Sequence, residues 1–389
     1  MRKRLFFLLI SCLTLFSACR DNGIVTDAED CLIVASDSLV FSVPSDASMF
    51  IKSMQIFEDE KSQKYFAFMS NDFSCVYFYD ITSRGLVKTL QLQNEGPDGI
   101  GRLAYGFYVK DWDNIYIPDM GVSQISVVDS SGHKQKSFIA EKMTKDYPFI
   151  PTYSLNGMQI VLYDNQLYAV QAPNRRLGNL AKSESTTEMV VDLVRNRVSP
   201  FSFCYPPTIM SDYSPERIYL GIERSMSRCF NGKELVYSFG MDENLYTVSL
   251  DDGKVMKHFA KSRFIDELKT PKVSDDLAVV AKRLCEYPFY GNIYYDKYRR
   301  LYYRVVYPQE EYEKEENFVD LWQFGRGKFS IIVLNEDFEV LGETFFPAYD
   351  YRSDLVLILE DGVYLSTSHY KNSSFDEDKL VFKRFEVVL

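Results

Sequence analysis

The sequence predicts an all-β fold, a six-bladed β-propeller with four-stranded antiparallel blades. Short β-branched and aromatic runs bounded by Asp, Asn and Gly occur along most of the chain, which is typical of strands joined by tight turns. These runs recur in a fixed order of strand, acidic turn and strand, which indicates an internal repeat. A strand near the start of the chain has no meander of its own, and the last repeat lacks a strand. Together these observations favour a closed ring of repeated sheets.

Two copies of the repeat are clear. The first has strands at residues 106–109, 114–117, 125–128 and 134–138, and the second at residues 293–296, 300–303, 330–334 and 340–346. Weaker copies begin at residues 54, 160 and 218, and each supplies further strand-and-turn segments of the same kind. The repeat therefore accounts for five blades before the end of the chain is reached.

The sixth blade explains how the ring closes. Residues 355–359, 362–365 and 380–389 supply three strands, and the chain then ends. The unpaired segment at residues 38–43 is expected to complete this blade, because closure by the opposite end removes the exposed edge of a linear stack of sheets. An irregular two-domain β-sandwich also has short strands and frequent turns, but it has no reason to repeat its turn chemistry at a long fixed period.

The start of the chain has the features of an exported lipoprotein. Residues 1–18 read as a signal peptide, with Arg2, Lys3 and Arg4 before a mostly apolar segment. The segment ends in Ser17-Ala18-Cys19, a lipobox-like sequence in which Cys19 would be lipidated. Residues 19–30 are polar and predict a flexible tether, and residues 31–389 a single propeller domain. Ordinary secretion without lipidation is the alternative; the predicted location is the cell envelope, on the outer membrane, facing the periplasm or the cell surface.

Charge and composition exclude several classes of partner and site. The net charge is −11 and the pI is about 5.0, so no basic surface is available to neutralise the phosphates of a nucleic acid. The chain has only 3 His residues and no C-x-x-C pair, which argues against zinc or copper sites. The cysteines of the predicted mature domain are compatible with one disulfide but not with a disulfide framework: Cys31, Cys75, Cys204, Cys229 and Cys285.

The lipobox, the loop Asn94-Glu95-Gly96-Pro97-Asp98-Gly99-Ile100-Gly101 and the strand Asn114-Ile115-Tyr116-Ile117 carry a family resemblance. The sequence resembles six-bladed propeller lipoproteins of Gram-negative bacteria, over its whole length. That family is a domain of unknown function within the class that contains NHL-repeat and TolB-like propellers. The resemblance therefore implies a fold and a location, but no activity.

The long insertions are expected on one face of the ring. In a meander blade, the loops between the second and third strands and those between blades emerge on the same side, and the opposite turns are short. The insertions carry the candidate ligand-binding residues, although each also has an ordinary structural or solubilising interpretation. Arginines could bind an anion, aromatic residues at aromatic-proline steps could form a platform, Asp119 could be a metal ligand or base, and His369 an acid or base. The candidates are Arg102, Asp119, Arg175, Arg176, Tyr205, Tyr290, Arg326 and His369.

Two segments break the strand pattern. Residues 274–286 predict one short inserted helix, with Ser274 as N-cap and Leu277, Val280, Ala281 and Leu284 on a face that packs on the propeller. Residues 310–316 form an acidic run, which is either a solvated loop or a calcium-binding segment.

No catalytic motif is visible in the sequence. The G-x-S-x-G nucleophile elbow and the H-E-x-x-H zinc motif are both missing. The sequence therefore favours a binding or scaffold propeller that presents its loop-rich face to a glycan, a peptide or an envelope protein, with no cofactor unless calcium binds. The alternative is a metal-assisted hydrolase, lactonase or lyase with a site in the axial channel.

Overall fold

Six antiparallel sheets follow one another along the chain and confirm the predicted six-bladed propeller. The computed structural model describes residues 30–121, 124–139, 152–171, 186–206, 226–269, 274, 276–313 and 315–389. The predicted signal peptide, Cys19 and all but the last residue of the predicted tether lie outside these ranges. Each sheet runs from an inner strand at the axis of the ring to an outer strand at its rim.

The first three blades lie between residues 54 and 200. From the axis outward, their strands are β2 (Met54–Glu58), β3 (Lys64–Met69), β4 (Cys75–Asp80) and β5 (Leu86–Gln91) in blade 1; β6 (Tyr108–Asp111), β7 (Asn114–Asp119), β8 (Gln124–Val128) and β9 (Lys134–Ile139) in blade 2; and β10 (Thr152–Tyr153) with β11 (Val161–Tyr163), then β12 (Gln166–Gln171), β13 (Glu188–Asp192) and β14 (Arg197–Pro200) in blade 3.

The remaining three blades use both ends of the chain. Their strands, again from the axis outward, are β15 (Met226–Phe230), β16 (Glu234–Phe239), β17 (Asn244–Ser249) and β18 (Val255–Phe259) in blade 4; β19 (Phe289–Asp296), β20 (Leu301–Tyr307), β21 (Phe329–Leu334) and β22 (Val340–Phe346) in blade 5; and β23 (Arg352–Leu359), β24 (Gly362–Ser366), β25 (Lys379–Val387) and β1 (Leu32–Ser42) in blade 6.

The inner strand of blade 4 lies at a different position from the one predicted. Residues 218–220 were expected to form its inner strand, but they lie outside the described residues and β15 holds that position. Within β15, Met226, Ser227 and Arg228 are buried in succession, so a buried charge and a buried hydroxyl interrupt its apolar pattern. This interruption made the strand hard to recognise from its sequence.

The predicted closure of the ring is confirmed. Strand β1 pairs antiparallel with β25, and Phe41 lies opposite Leu380. The Phe41 side chain is fully buried, with its ring centroid 4.7 Å from Phe66 of blade 1 and 6.3 Å from Phe382 of blade 6. One side chain of the closing strand thus packs against both the first and the last blade.

The two faces of the ring differ as expected from the insertions. On one face, the turns within each blade contain two to five residues. On the other face, most connections between blades and the connections between second and third strands of blades 3, 5 and 6 are longer; within the described residues they include two helices, α1 (Leu277–Glu286) and α2 (Phe318–Phe324). The helices pack against each other on this loop-rich face.

The first helix is shorter than predicted, and the second was not predicted. Asp276, not Ser274, is the N-cap of α1, because its carboxylate accepts hydrogen bonds from the backbone N–H groups of Ala278 and Val279. Ser274 instead accepts one from the Asp276 N–H. Leu277 is exposed, and the buried face contains Cys285 in its place. Helix α2 has only 7 residues, too few to give a periodic signal.

The core lies between neighbouring blades and contains a buried ion pair. Arg228 of β15 donates to both carboxylate oxygens of Glu188 in β13, at 2.9 and 3.1 Å, and both side chains are buried. Cys31, Cys75, Cys229 and Cys285 form no disulfide with one another. Among the described residues, no helix has the length and apolar character needed to cross a membrane.

Candidate functional site

A turn of blade 3 obstructs the axial channel. Residues 154–160 separate β10 from β11 and project toward the axis, where Asn156 bonds the inner strand of blade 1 through its side chain. Gly157, on the same turn, accepts hydrogen bonds from the backbone N–H of Arg228 and the hydroxyl of Ser227 in blade 4. A Cβ atom at Gly157 would lie 2.7 Å from the Asn292 amide of blade 5, so only glycine fits there. This turn is called the axial plug.

Cavities lie on both sides of the axial plug. The lower one, of about 470 Å³, is lined by inner strands of all six blades, including Ile56, Leu162 and Ile358. The upper one, of about 160 Å³, opens on the loop-rich face at the mouth of the channel and is called the mouth pocket. Its wall comes from blades 1, 4, 5 and 6 and from both helices. The residues that line it include Lys52, Tyr290, Asn292, Tyr307, Trp322, Gly325, Arg326 and Asp354.

Irregular strand pairing places polar side chains in the mouth pocket. The register of β19 with β20 shifts between Tyr290 and Ile293, around Asn292. The register of β23 with β24 shifts between Arg352 and Val356, around Asp354. Such irregularities change the direction of a side chain relative to the pleat. Two neighbouring blades therefore direct an amide and a carboxylate into the same cavity.

The carboxylate of Asp354 is held by an arginine behind the pocket wall. Arg352 is fully buried, and its Nε and Nη2 atoms donate to the two oxygens of Asp354 at 3.1 and 2.8 Å. Burial alone would raise the pKa of Asp354, but the charge of Arg352 and these hydrogen bonds outweigh it and lower the pKa. Asp354 is therefore a fixed, ionised hydrogen-bond acceptor.

Lys52 has no such counter-charge in contact. Its Nζ donates to the Gln323 carbonyl at the end of α2, at 3.3 Å, and lies 4.1 Å from the centre of the Phe50 ring. It forms no ion pair with a carboxylate in the part of the chain that the structure describes. Burial lowers the pKa of Lys52 to about 8, with Arg352 adding to the effect and Asp354 opposing it. The mouth pocket thus contains an ammonium group that protein groups solvate poorly.

Arg326 is the second cation of the pocket wall. Its guanidinium lies 5.3 Å from the Phe289 ring and 5.1 Å from the Tyr307 ring. The two Nη atoms donate to the carbonyl oxygens of Tyr287, at 2.6 Å, and Pro308, at 3.1 Å. Its buried Nε has no hydrogen-bond partner among the described residues. Arg326 therefore bonds neutral groups, and its charge is not balanced by a carboxylate.

His369 supports the mouth pocket from behind. The ring is fully buried and lies between the rings of Tyr349 and Tyr370. Its Nδ1 accepts from the Lys371 N–H at 3.1 Å, which leaves Nε2 to donate to the Gly325 carbonyl at 3.2 Å. Burial lowers the pKa of His369 to about 4, so the ring is neutral at physiological pH. This geometry favours a positioning role at the end of α2 over acid-base chemistry.

Three other residues predicted as ligand-binding candidates contact protein groups. Tyr290 lines the mouth pocket, but its hydroxyl accepts from the Ser262 N–H and its ring lies under the Arg304 guanidinium, at 3.6 Å. Arg102 is exposed and bonds Glu95. Tyr205 is buried and donates to the Gln171 carbonyl at 2.9 Å.

Asp119, the candidate metal ligand or base, belongs to a loop contact. The carboxylate accepts from the backbone N–H groups of Leu103 and Gly121, at 3.1 and 2.6 Å. Its neighbour Gly101 has a φ of +108°, and a Cβ there would collide with the carboxylate. Arg175 and Arg176 lie outside the described residues. Of the six candidates within the described residues, the structure therefore brings Tyr290, Arg326 and the supporting His369 together.

Sequence reasoning missed Lys52, Asn292, Trp322 and Asp354. Three of them share a signal, because Lys52, Asn292 and Asp354 lie just before or within the first residues of inner strands. Aligning the blades would have shown polar residues at one end of successive inner strands. Trp322 gave no signal, since it belongs to the short helix α2.

Acidic side chains in two other places accept hydrogen bonds from neighbouring groups of the fold. A groove of about 460 Å³ on the opposite face contains Asp59, Asp80, Asp111 and Trp112. Each of these three carboxylates accepts a backbone hydrogen bond within its own turn. In the acidic run, Glu310 is buried against Lys328 and Tyr312. No group of three or more His, Cys, Asp or Glu is arranged to hold a metal ion in the described ranges.

Residues 25–345 match the family described as "Domain of unknown function (DUF4221)". The chain belongs to this family. A crystal structure of a DUF4221 member from Bacteroides vulgatus has 26% sequence identity and a TM-score of 0.80, and the match covers 93% of this chain and 99% of that one. A Bacteroides fragilis protein whose name describes it as exported has 11% identity and a TM-score of 0.57, covering 93% and 98% of the two chains. The second likeness shows the fold alone. No curated protein matches this DUF4221 sequence significantly.

Proposed function

We propose that this DUF4221 protein is a binding module of the bacterial cell envelope, anchored by lipid at Cys19, which receives a ligand in the mouth pocket. The ligand belongs to a glycan, a peptide or an envelope protein. Export is supported by the signal-peptide and lipobox pattern of residues 1–19. A binding role is supported by the uneven faces of the ring, because long loops and the helices α1 and α2 surround the end of the channel at which the mouth pocket opens.

The observation that carries the proposal is the state of the polar groups in the mouth pocket. A folded protein normally pairs its buried charges, since desolvating an unpaired charge is costly. Lys52 and Arg326 bond only neutral carbonyl oxygens, and the Arg326 Nε has no partner among the described residues. Groups of this kind in a small concave site are suited to binding a polar ligand.

The binding proposal is tested with the chain from residue 20 onward, which contains all six blades. A glycan array and a peptide array are probed with the wild type, Lys52→Met and Lys233→Met, each with and without calcium. Lys233 is exposed in a short turn of the opposite face and serves as the matched control. We expect a signal that Lys52→Met abolishes and Lys233→Met retains. A signal that both variants retain would move the site away from the mouth pocket.

The anchor is tested separately in cells that express the full chain. We expect incorporation of an alkyne-tagged palmitate that is lost in Cys19→Ser and retained in Cys12→Ser, the other cysteine that follows a lipobox-like sequence. Labelling that survives Cys19→Ser would show that the anchor was assigned to the wrong residue.

A further inference from the structure

We propose that the mouth pocket binds a carboxylate group of a small polar ligand, between Lys52 and Arg326. This inference rests on the proposed binding function and names the chemistry that the pocket recognises. It concerns the ligand's anionic group and applies equally to a sugar acid and to the free carboxylate of an amino acid or peptide.

The charged side chains around the mouth pocket leave an excess of positive charge. The whole chain has a net charge of −11, but the mouth pocket is locally positive. Arg352 already neutralises Asp354 through two hydrogen bonds, so the charges of Lys52 and Arg326 remain. The nearby Glu310 does not change this balance, because it pairs with Lys328 and accepts hydrogen bonds from Tyr312 and the Lys328 N–H. An anion is the ligand group that completes the pocket.

The size and shape of the mouth pocket limit the ligand to a small group. A cavity of about 160 Å³ accommodates one small residue and not an extended chain. The axial plug lies beneath it, and the half-exposed ring of Trp322 lies at its rim. An aromatic edge next to paired polar groups suits a ligand with one apolar face and several hydrogen-bonding groups. Asp354 supplies the acceptor for a ligand hydroxyl or N–H, which fixes the orientation of the carboxylate toward the two cations.

Lys52 has a low pKa of about 8, because its amine is largely buried and no carboxylate contacts it. A bound carboxylate would supply that charge and favour the ammonium form. The other charged groups that face Lys52 are Arg352 and Asp354, and Asp354 is held ionised because Arg352 lowers its pKa. Affinity for a carboxylate is therefore expected to fall as pH rises above about 8.

The test uses pairs of probes that differ only in the anionic group. Isothermal titration calorimetry at pH 7 compares D-glucuronate with D-glucose, and N-acetylglycine with its amide; inorganic phosphate is a fifth probe. We expect one acid to bind and its neutral partner not to bind. Which acid binds distinguishes a sugar acid from an amino-acid carboxylate. Binding of neither acid, equal binding of an acid and its neutral partner, or binding of phosphate alone would overturn the inference.

Variants locate the bound group. Lys52→Met is expected to weaken binding of the acid by about tenfold or more, because hydrogen bonds to charged groups are worth about 1.5–3 kcal/mol. Lys233→Met is expected to leave it unchanged. Asp354→Asn, which removes the carboxylate that the described residues contribute to the pocket wall while keeping an acceptor, is expected to strengthen it. If neutral probes bind and Lys52→Met abolishes their binding, the proposed function stands and the carboxylate assignment fails.

Discussion

Replacing Lys52 by methionine should make the protein more stable at neutral pH. The methionine side chain has a similar length and no charge to bury. The pKa of the Lys52 ammonium is about 8 instead of its ordinary 10.5, and a difference of one in pKa between the folded and unfolded chains corresponds to about 1.36 kcal/mol. The folded wild type therefore loses about 3 kcal/mol at pH 7 to the buried charge. The variant also loses the 3.3 Å hydrogen bond to Gln323, worth about 1 kcal/mol, so a net gain of about 2 kcal/mol is expected.

The pH dependence gives this prediction its sign. Between pH 8 and 10.5 the folded chain binds fewer protons at Lys52 than the unfolded chain, so the free energy of unfolding of the wild type rises across this interval. Below about pH 8 the full cost of the charged amine is present. Above pH 10.5 the amine is neutral in both states and the cost is gone. The advantage of Lys52→Met should therefore be largest at pH 7 and disappear before pH 10.5, where the loss of the hydrogen bond to Gln323 leaves the variant slightly less stable than the wild type.

The measurement is urea unfolding of the chain from residue 20 onward at several pH values between 6.5 and 10.5, for the wild type, Lys52→Met and Lys233→Met. Differences between variants remove the titration of all other groups. Lys233→Met should follow the wild type, because its side chain is exposed. A Lys52→Met variant that is less stable than the wild type at pH 7, or whose advantage does not decrease with pH, would refute the reasoning about the unbalanced amine.

Three further substitutions test the fold, each by urea unfolding. Phe41→Ala should lower the free energy of unfolding by about 3–5 kcal/mol, since the ring packs against both the first and the last blade; a loss below about 1 kcal/mol would contradict this closure. Arg228→Met should cost about 3–5 kcal/mol by leaving Glu188 buried without its partner, and adding Glu188→Leu should restore much of the loss; a double variant as unstable as the single would argue against the ion pair. Asp276→Ala should cost about 1 kcal/mol and Ser274→Ala much less; equal losses would contradict the assigned N-cap.

The blade pattern was predictable because its causes are local. Alternating apolar residues and acidic turns specify each hairpin within a few dozen residues, as in the residue 114–128 segment of blade 2. The closing strand was also predictable, since the spare strand near the start of the chain supplies the strand that the last blade lacks. Helix α2 and the interrupted strand β15 were missed where the local pattern is short or contains a buried charge.

The candidate site was only partly predictable. Arg326, Tyr290 and His369 were chosen because they lie in insertions, and all three belong to the mouth pocket or its support. Asp119 was chosen for its position after a strand, yet its carboxylate accepts from the backbone of residues 103 and 121. A sequence shows that a carboxylate is present but not which donors surround it.

The sequence by itself determined a ring of six sheets with one elaborated face, because hydrophobic alternation and turn chemistry act between neighbouring residues. Only the tertiary structure decided that Lys52, Asp354 and Arg326 share one cavity above the axial plug. Lys52 and Asp354 are separated by most of the chain, and they meet because ring closure brings the inner strands of the first and last blades side by side. Burial and the absence of a contacting counter-charge then set the properties of the amine, and both depend on three-dimensional packing.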